Sequence, residues 1–164
     1  MTFAYIKELR DVQISALIEM NNVVVGLDVG DKTVGVAVSD RGIRIATGVT
    51  TVVRKGYDVD FKNLLTALAP YNIGLIVFGW PVLMNGMAGD QCEKVLQFIT
   101  QLYEYIPTNY AKWDERLSTR AVEMTMIQAN LSRAKRKKVI DKGAATYILQ
   151  GAIDFLNRNC CSNL

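Results

Sequence analysis

The sequence predicts an α/β fold in which a mixed five-stranded sheet carries helices on both faces and the first three strands are antiparallel. Three runs rich in β-branched residues, at 23–29, 33–39 and 43–53, are separated only by short polar turns, a pattern typical of an antiparallel meander. Beyond them the apolar spacing changes to a helical period, and helices alternate with two further strands at 73–78 and 109–115. The length of 164 residues fits a single domain.

The first two strands are predicted from their residue types. The first reads VVVGLDV and ends at Gly30, and this nearly continuous apolar run is typical of a central strand buried on both faces. The second reads TVGVAVS and leads into a turn at 40–42, after which the third strand begins. Ahead of the sheet, apolar residues at helical intervals over 3–20 predict an amphipathic N-terminal helix.

The other helices are indicated by apolar residues spaced three and four apart and by capping residues at their starts. Asp60 is expected to cap the helix that precedes the fourth strand. Ser118 or Thr119 is expected to cap a helix after the fifth strand, and the last helix is expected to run from about Asp141 to Leu156. The element order is therefore β-β-β-α-β-α-β-α-α.

The absence of histidine limits the chemistry available to this chain. Serine and cysteine nucleophiles activated by imidazole are excluded, as is zinc held by histidine. The three cysteines, Cys92, Cys160 and Cys161, have neither the spacing of a zinc site nor that of a disulfide framework. Catalysis would have to use carboxylates, lysines, hydroxyls or a metal bound by oxygen.

The chain is expected to be cytoplasmic and not embedded in a membrane. Its first twenty residues mix charged and apolar side chains, unlike a secretory signal. The uncharged stretch at 63–89 contains prolines and glycines, and its unbroken apolar part is far shorter than the ~20 residues of a membrane span.

One short segment holds all of the positive excess. Residues 133–142 contain six of the 19 basic residues and one of the 16 acidic residues, so the rest of the chain has 13 basic against 15 acidic. This concentration is typical of a local patch that contacts phosphates, although a solvated helix face or loop would look the same.

Three acidic residues are candidates for catalysis. Asp28 lies inside an apolar strand, where a carboxylate needs a cation or hydrogen-bond donors, although it could simply organise the following turn. Glu115 lies at the end of the fifth strand and could equally be a surface acid. Asp141 is expected to open the last helix, where N-capping is the commoner role. Together the three would supply the oxygen ligands that magnesium or manganese prefers.

Four blocks of sequence resemble the signature motifs of the YqgF/RuvX family, described as Holliday junction resolvases or pre-16S rRNA nucleases. They read VGLDVGDKTVGVAVSD at 25–40, FGWPVLMNGMAG at 78–89, WDERLSTRAVE at 113–123 and DKGAATYILQGAIDFL at 141–156. The resemblance extends over 22–158, so residues 1–21 would be an N-terminal extension of a single RNase H-like domain.

The resemblance implies an RNase H-like fold and metal-dependent endonuclease chemistry. Asp28, Glu115 and Asp141 match the family's three acids, and they would bind two Mg²⁺ or Mn²⁺ ions that support phosphodiester hydrolysis. The family's active-site loop matches at Gly79, Pro81 and Gly86.

Basic residues are expected to contact the phosphates of the nucleic acid. They are Lys32, Arg116, Arg133, Lys135, Arg136, Lys137, Lys138 and Lys142. Lys142 is a departure from the family, since many relatives carry serine or aspartate at this position. It would either assist phosphate binding or weaken the neighbouring metal site.

The leading hypothesis is an endonuclease that processes the 5′ end of precursor 16S rRNA. The first alternative is a Holliday junction resolvase acting on branched DNA, for which a symmetric homodimer is expected. A second is a non-catalytic RNA-binding or ribosome-assembly module. A third, half of an actin-like ATP clamp suggested by DVGDK at 28–32, lacks a second lobe and a second phosphate loop.

Overall fold

The computed structural model describes residues 3–8, 15–17, 19–115 and 132–160, with side chains described outside 133–142 and 159–160. A short 3₁₀ helix, Ile6–Glu8, precedes the main elements. In chain order these are β1 (Val23–Val29), β2 (Thr33–Ser39), β3 (Ala46–Val53), α1 (Tyr57–Leu68), β4 (Ile73–Trp80), α2 (Asp90–Tyr105), β5 (Asn109–Asp114) and α3 (Arg133–Cys160). The predicted helix after Ser118 or Thr119 lies outside the described residues.

The five strands form one mixed sheet in the order β3-β2-β1-β4-β5. The first three strands pair antiparallel, whereas β4 is parallel to both β1 and β5. This confirms the predicted sheet. Because β1, β4 and β5 run in the same direction, their carboxyl ends lie at one end of the sheet, which is where ligands commonly bind in open α/β sheets.

Helices cover both faces of the sheet, as predicted, because β1 is apolar on both sides. Its residues Val25, Leu27 and Val29 pack into a core with α1 and α2. Val24 lies in a second core, which is formed with α3. Gly26 faces α3 as well, because a Cβ there would lie 2.6 Å from the Cβ of Leu149. Strand alternation therefore directs Asp28, two residues further along, towards the α3 side.

The direction of α3 follows from its contacts with the β2–β3 turn. Gln150 accepts the backbone N–H of Ala46 at 2.9 Å, and Asn157 donates to the carbonyl of Ile43 at 2.9 Å. This turn lies at the amino end of β1, since the Ser39 hydroxyl accepts the N–H of Val24. The amino-terminal half of α3 therefore extends towards the carboxyl end of β1. In the described part of the chain no helix is both long and apolar enough to span a bilayer.

The third strand begins at Ala46 and not at residue 43 as predicted. The carboxylate of Asp40 accepts the N–H groups of Arg44 at 2.7 Å and Ile45 at 2.9 Å, which holds residues 40–45 in a turn. Ile43 has a positive φ of 51°, which is incompatible with a strand. The turn is thus longer than its composition suggested.

Two predicted helix starts are wrong. Gly56 is the N-cap residue of α1, so Asp60 lies inside the first turn and does not cap it. The last helix begins at Arg133, eight residues before Asp141. The intervening segment, 133–140, is rich in lysine and arginine, which are good helix formers. It contains no proline or glycine that would stop the helix.

The predicted N-terminal helix is confirmed only in part, since residues 15–17 and 19 are helical, whereas residues 3–5 are extended and Ile6–Glu8 form a 3₁₀ helix. Tyr5 forms a parallel bridge with Lys112 of β5, and the N–H of Lys112 donates to the carbonyl of Ala4 at 2.8 Å. Phe3 is buried against Phe78 in an edge-to-face contact with centroids 5.7 Å apart. Pairing with the edge of the sheet and burial of Phe3 therefore outweigh the helical pattern. Residues 9–14 lie outside the described part.

A buried ion pair connects α1 to the end of β3. The Nε of Arg54 lies 3.5 Å from Oδ2 of Asp60, whose side chain is fully buried. The other oxygen of Asp60 accepts the N–H of Lys55 at 2.8 Å. The Arg54 guanidinium also lies over the ring of Phe98, 5.0 Å from its centroid. Nothing in the sequence pattern indicated that this pair would be buried.

Replacing Arg54 by glutamine should destabilise the protein strongly, because it leaves the Asp60 carboxylate buried without a cation. We expect a loss of about 3 kcal/mol in the free energy of unfolding, measured by urea denaturation. The matched control is Asp31→Asn, which removes the exposed ion pair between Asp31 and Lys94. The control should lose less than about 1 kcal/mol. Equal losses in the two variants would contradict this account.

Candidate active site

Asp28 occupies the carboxyl end of β1, on the sheet face covered by α3. Its side chain is partly buried. The residue paired with it on β2 is Gly35. On the other side β4 is in register with β1 up to Leu27 and Phe78, so the next position on β4 is Gly79. Asp28 therefore lies between two strand positions without side chains, which leaves space on these strands for side chains from elsewhere in the chain.

Glu115 extends into this space from the end of β5. A Cβ atom added to Gly79 would overlap the Glu115 carboxylate. Gly79 is paired with Trp113, whose indole packs against α3 at Gly151, where a Cβ would lie 2.7 Å from Cζ2. Glycine at position 79 is thus required by the path of the Glu115 side chain. The sequence motif marked this glycine but did not explain it.

The environment of Glu115 disfavours its charged form. Burial, then the carboxylates of Asp28 and Asp114, raise the pKa of Glu115 from 4.5 to about 7. Two acids far apart in sequence, Asp28 and Glu115, therefore lie close enough to repel each other. A divalent cation between such carboxylates would relieve the repulsion and favour ionised Glu115.

Asp141 is placed by the backbone of α3 only, since its side chain is outside the described part. It lies one helical turn before Ala145. The carbonyl oxygen of Ala145 is next to Gly26 of β1, because a Cβ atom added to Gly26 would lie 2.9 Å from it. Because α3 extends towards the carboxyl end of β1, residue 141 is on the Asp28 side of that contact. Helix N-capping is excluded as its role, because the helix begins at Arg133.

Among the described side chains, no group of three potential metal ligands comes together. Asp28 and Glu115 supply two carboxylates, and the third candidate ligand belongs to the part of α3 described by its backbone alone. The assignment of the three acids as a metal site stays a prediction. The donor set is nevertheless suitable for Mg²⁺ or Mn²⁺, since both prefer carboxylate oxygens.

Of the three predicted loop residues, Pro81 and Gly86 follow β4 at the same end of the sheet. Gly79 lies within β4 next to Glu115. The carbonyl of Pro81 accepts the thiol of Cys92 at 3.3 Å, which ties the start of the loop to α2. Gly86 has a positive φ of 82°, a conformation that glycine adopts readily.

The predicted phosphate-binding residues are described only in part. Lys32 is exposed in the β1–β2 turn, close in sequence to Asp28. The side chains of the remaining predicted residues lie outside the described part: Arg116, Arg133, Lys135, Arg136, Lys137, Lys138 and Lys142. The backbone nevertheless assigns residues 133–142 to the first turns of α3, so this basic segment is helical and not a loop.

Arg54, a residue that no sequence motif marked, holds the turn that follows Asp28. Its Nη1 donates to the carbonyl of Gly30 at 2.9 Å, and its N–H donates to the carbonyl of Lys32 at 2.9 Å. Arg54 also lines a cleft of about 430 Å³ with Asp60 and Lys94. Asp28 and Glu115 do not line this cleft. The sequence carries no signal for this role, because it depends on contacts between distant segments.

The match to a known family covers most of the chain. The RuvX family model, described as Holliday junction resolvase, matches residues 22–155. The chain belongs to the RuvX family. The match agrees with the predicted resemblance, and it includes Asp28, Glu115 and Asp141.

Two bacterial relatives are similar to this RuvX chain over most of its length. A protein of Clostridium kluyveri named "Putative pre-16S rRNA nuclease" is 49% identical over 135 residues, which are 82% of this chain and 98% of the relative. A protein of the same name from Clostridium novyi is 51% identical over 131 residues, 80% of this chain and 97% of the relative.

A solved structure has the same fold. RuvC of T. thermophilus, in complex with a Holliday junction substrate, aligns with a TM-score of 0.53 and 13% identity. The alignment covers 83% of this chain and 96% of that chain. The RuvX chain is therefore an α/β protein with a RuvC-like, RNase H-type fold.

Glu115→Gln should stabilise the metal-free protein at high pH. Because folding raises the pKa of Glu115 from 4.5 to about 7, the stability linked to its proton is present below pH 4.5 and is lost as the pH rises through 7. At pH 8 the glutamine variant, which cannot ionise, should exceed wild type by on the order of 1–3 kcal/mol. Urea denaturation in EDTA at pH 5 and pH 8 measures the difference.

The matched control for this measurement is Glu104→Gln, a change at an exposed position of α2. It should reproduce the wild-type fall in stability between the two pH values. Equal stability of wild type and Glu115→Gln at pH 8 would show that the Glu115 carboxylate is neither desolvated nor repelled by its neighbours.

Proposed function

We propose that this RuvX chain is a metal-dependent endonuclease that processes the 5′ end of precursor 16S rRNA. The observation that carries the proposal is the convergence of Asp28 and Glu115, where Glu115 occupies the space left by Gly79. Identity of 49% and 51% to two proteins named pre-16S rRNA nuclease supports RNA as the substrate.

Asp28, Glu115 and Asp141 would hold two Mg²⁺ or Mn²⁺ ions. The raised pKa of Glu115 supports this role, because a divalent cation beside Asp28 and Glu115 would favour the ionised form that burial and the neighbouring carboxylates disfavour. When bound, such ions activate water as a nucleophile and stabilise the leaving oxygen of a phosphodiester. This scheme requires no imidazole, which agrees with the absence of histidine from the chain.

The protein's own residues would position the scissile phosphate. Gly35, paired with Asp28 on β2, places no side chain on that side of Asp28 that would hinder the approach of a backbone phosphate. Arg54 fixes the turn after Asp28 through the carbonyl of Gly30, which limits movement of the carboxylate. Arg116 and Lys142, neighbours in sequence of two proposed ligands, would contact the phosphate and offset its charge.

The basic segment 133–142 would bind phosphates further from the cleavage site. It begins α3, and the helix dipole disfavours cations in the first turn. Three of its six basic residues, Arg133, Lys135 and Arg136, lie in that turn, which suggests that they serve an anionic ligand and not helix stability. Contacts of this type hold the backbone of a nucleic acid without reading its bases, so the substrate would be chosen by shape.

Holliday junction cleavage is the second candidate function, because the family model carries that description. A junction has two-fold symmetry, and its resolution would require a homodimer that presents two active sites. The two candidate functions can be compared by measuring the cleavage rates of precursor rRNA and of a four-way DNA junction with one preparation of the protein. Each substrate is tested with Mg²⁺, Mn²⁺ or EDTA. Faster cleavage of the junction would overturn the assignment to rRNA.

Asp28→Asn should abolish cleavage while leaving binding intact. Loss of one carboxylate from the site is expected to lower kcat by on the order of 10²–10³-fold, the scale for a group that stabilises developing charge. A gel-based cleavage assay with Mg²⁺ and a filter-binding assay separate the two properties. The control is Asp31→Asn, an exposed acid three residues away. Undiminished cleavage by Asp28→Asn would rule out the proposed site.

Neutralising Lys137 and Lys138 together by glutamine should weaken the salt dependence of binding. Fewer counterions are released, so the slope of log K against log salt should fall by about 1.5 if each lysine contacts one phosphate. The control is the pair Lys55→Gln and Lys62→Gln, exposed lysines at and near the start of α1. The same change of slope in both variants would argue against a specific role for the basic segment.

A further inference from the structure

The loop after β4 exposes three large apolar side chains at the same end of the sheet as the candidate active site. Within residues 81–89, which we call the apolar loop, Leu83 is 51% exposed, Met84 92% and Met87 64%. Single exposed apolar side chains are common, whereas several that are adjacent form the kind of exposed apolar surface that marks interaction sites.

The conformation of the apolar loop is set by its own hydrogen bonds. The N–H of Leu83 donates to the carbonyl of Met87 at 2.8 Å, and the N–H of Gly86 donates to the carbonyl of Leu83 at 2.8 Å. The side chain of Asn85 accepts the N–H of Met87 at 3.0 Å. Gly86, with φ of 82°, permits this tight turn. Hydrogen bonds within the loop therefore fix the backbone that carries the exposed side chains.

The topology places the apolar loop and the carboxylates at the same end of the sheet. The loop continues from β4, and Gly79 of β4 contacts Glu115. β1, which carries Asp28, is parallel to β4. The basic first turns of α3 extend towards this end as well. A nucleic acid bound to the basic segment with a phosphate at the carboxylates would thus pass near the loop.

The chemistry of the apolar loop identifies the part of the substrate it can contact. Residues 81–89 contain no charged side chain, so they have no cation for a phosphate. The apolar portion of a nucleic acid is the face of a base, which is covered in a continuous duplex and exposed where a nucleotide is unpaired. Proteins insert methionine and leucine side chains against base faces in this way.

We infer that Leu83, Met84 and Met87 form a binding site for an unpaired nucleobase adjacent to the scissile phosphate. The inference rests on the proposed nuclease function and deepens it, because it adds a specificity element. The carboxylates act on any phosphodiester, whereas the apolar loop selects substrates in which a base is unstacked near the cleavage position.

The test uses binding in the Asp28→Asn background, so that the substrate stays intact. The probes are an RNA hairpin with one unpaired 2-aminopurine and the same hairpin fully paired, each measured by anisotropy and by 2-aminopurine fluorescence. Met84→Ala with Met87→Ala should weaken binding of the unpaired probe about tenfold, at the lower end of the scale for base stacking on side chains. Binding of the paired probe should change less than about twofold.

Two further variants make the test specific. Met84→Leu keeps an apolar side chain and should retain most of the affinity for the unpaired probe. Met20→Ala is the matched control, because Met20 is 66% exposed, similar to Met87. Met20 lies just before β1, at the opposite end of the sheet. It should leave the affinity for both probes unchanged.

Equal weakening on both probes, or none on either, would overturn the inference. So would a change in the self-association of the chain, measured by sedimentation, because the loop would then contact a second copy. Cleavage by the wild-type chain with Mg²⁺ is scored separately. Absent cleavage with preserved discrimination between the probes would refute the nuclease proposal and not the base-binding site.

Discussion

The geometry of the candidate active site depends on the placement of the Glu115 carboxylate in the space that Gly79 leaves empty. Any larger residue at position 79 would occupy the volume that the carboxylate now fills. The result is a partly buried acid next to Asp28, with a raised pKa of about 7. The fold holds two carboxylates close together, an arrangement that the proposed divalent cation would stabilise.

The parallel arrangement of β1, β4 and β5 makes this placement achievable. Asp28, Gly79 and Trp113 occupy neighbouring positions on three adjacent strands, and Glu115 follows β5 by one residue. On the far side of β1, Gly35 on β2 again presents no side chain. The antiparallel first three strands provide the turn after Asp28, and Arg54, the residue that follows β3, fixes this turn through the carbonyl of Gly30.

Elements with strong local patterns were predicted well, whereas the starts of β3, α1 and α3 were not. β1 and β2 have the predicted bounds, because alternating or continuous β-branched residues bounded by turns leave little ambiguity. The start of β3 was wrong because the Asp40 carboxylate organises a longer turn. The start of α3 was wrong because a basic run was treated as separate from the helix that it begins.

The sequence by itself determined the α/β class, the strand order along the chain, the chemistry excluded by the absence of histidine and the identity of three candidate acids. These properties follow from residue types and short-range spacing. Only the tertiary structure decided that Glu115 lies beside Asp28, that Asp60 is buried with Arg54 and that Met84 is exposed. Each of these depends on which distant segments pack together, and the burial and neighbouring charge that result are not properties of a local pattern.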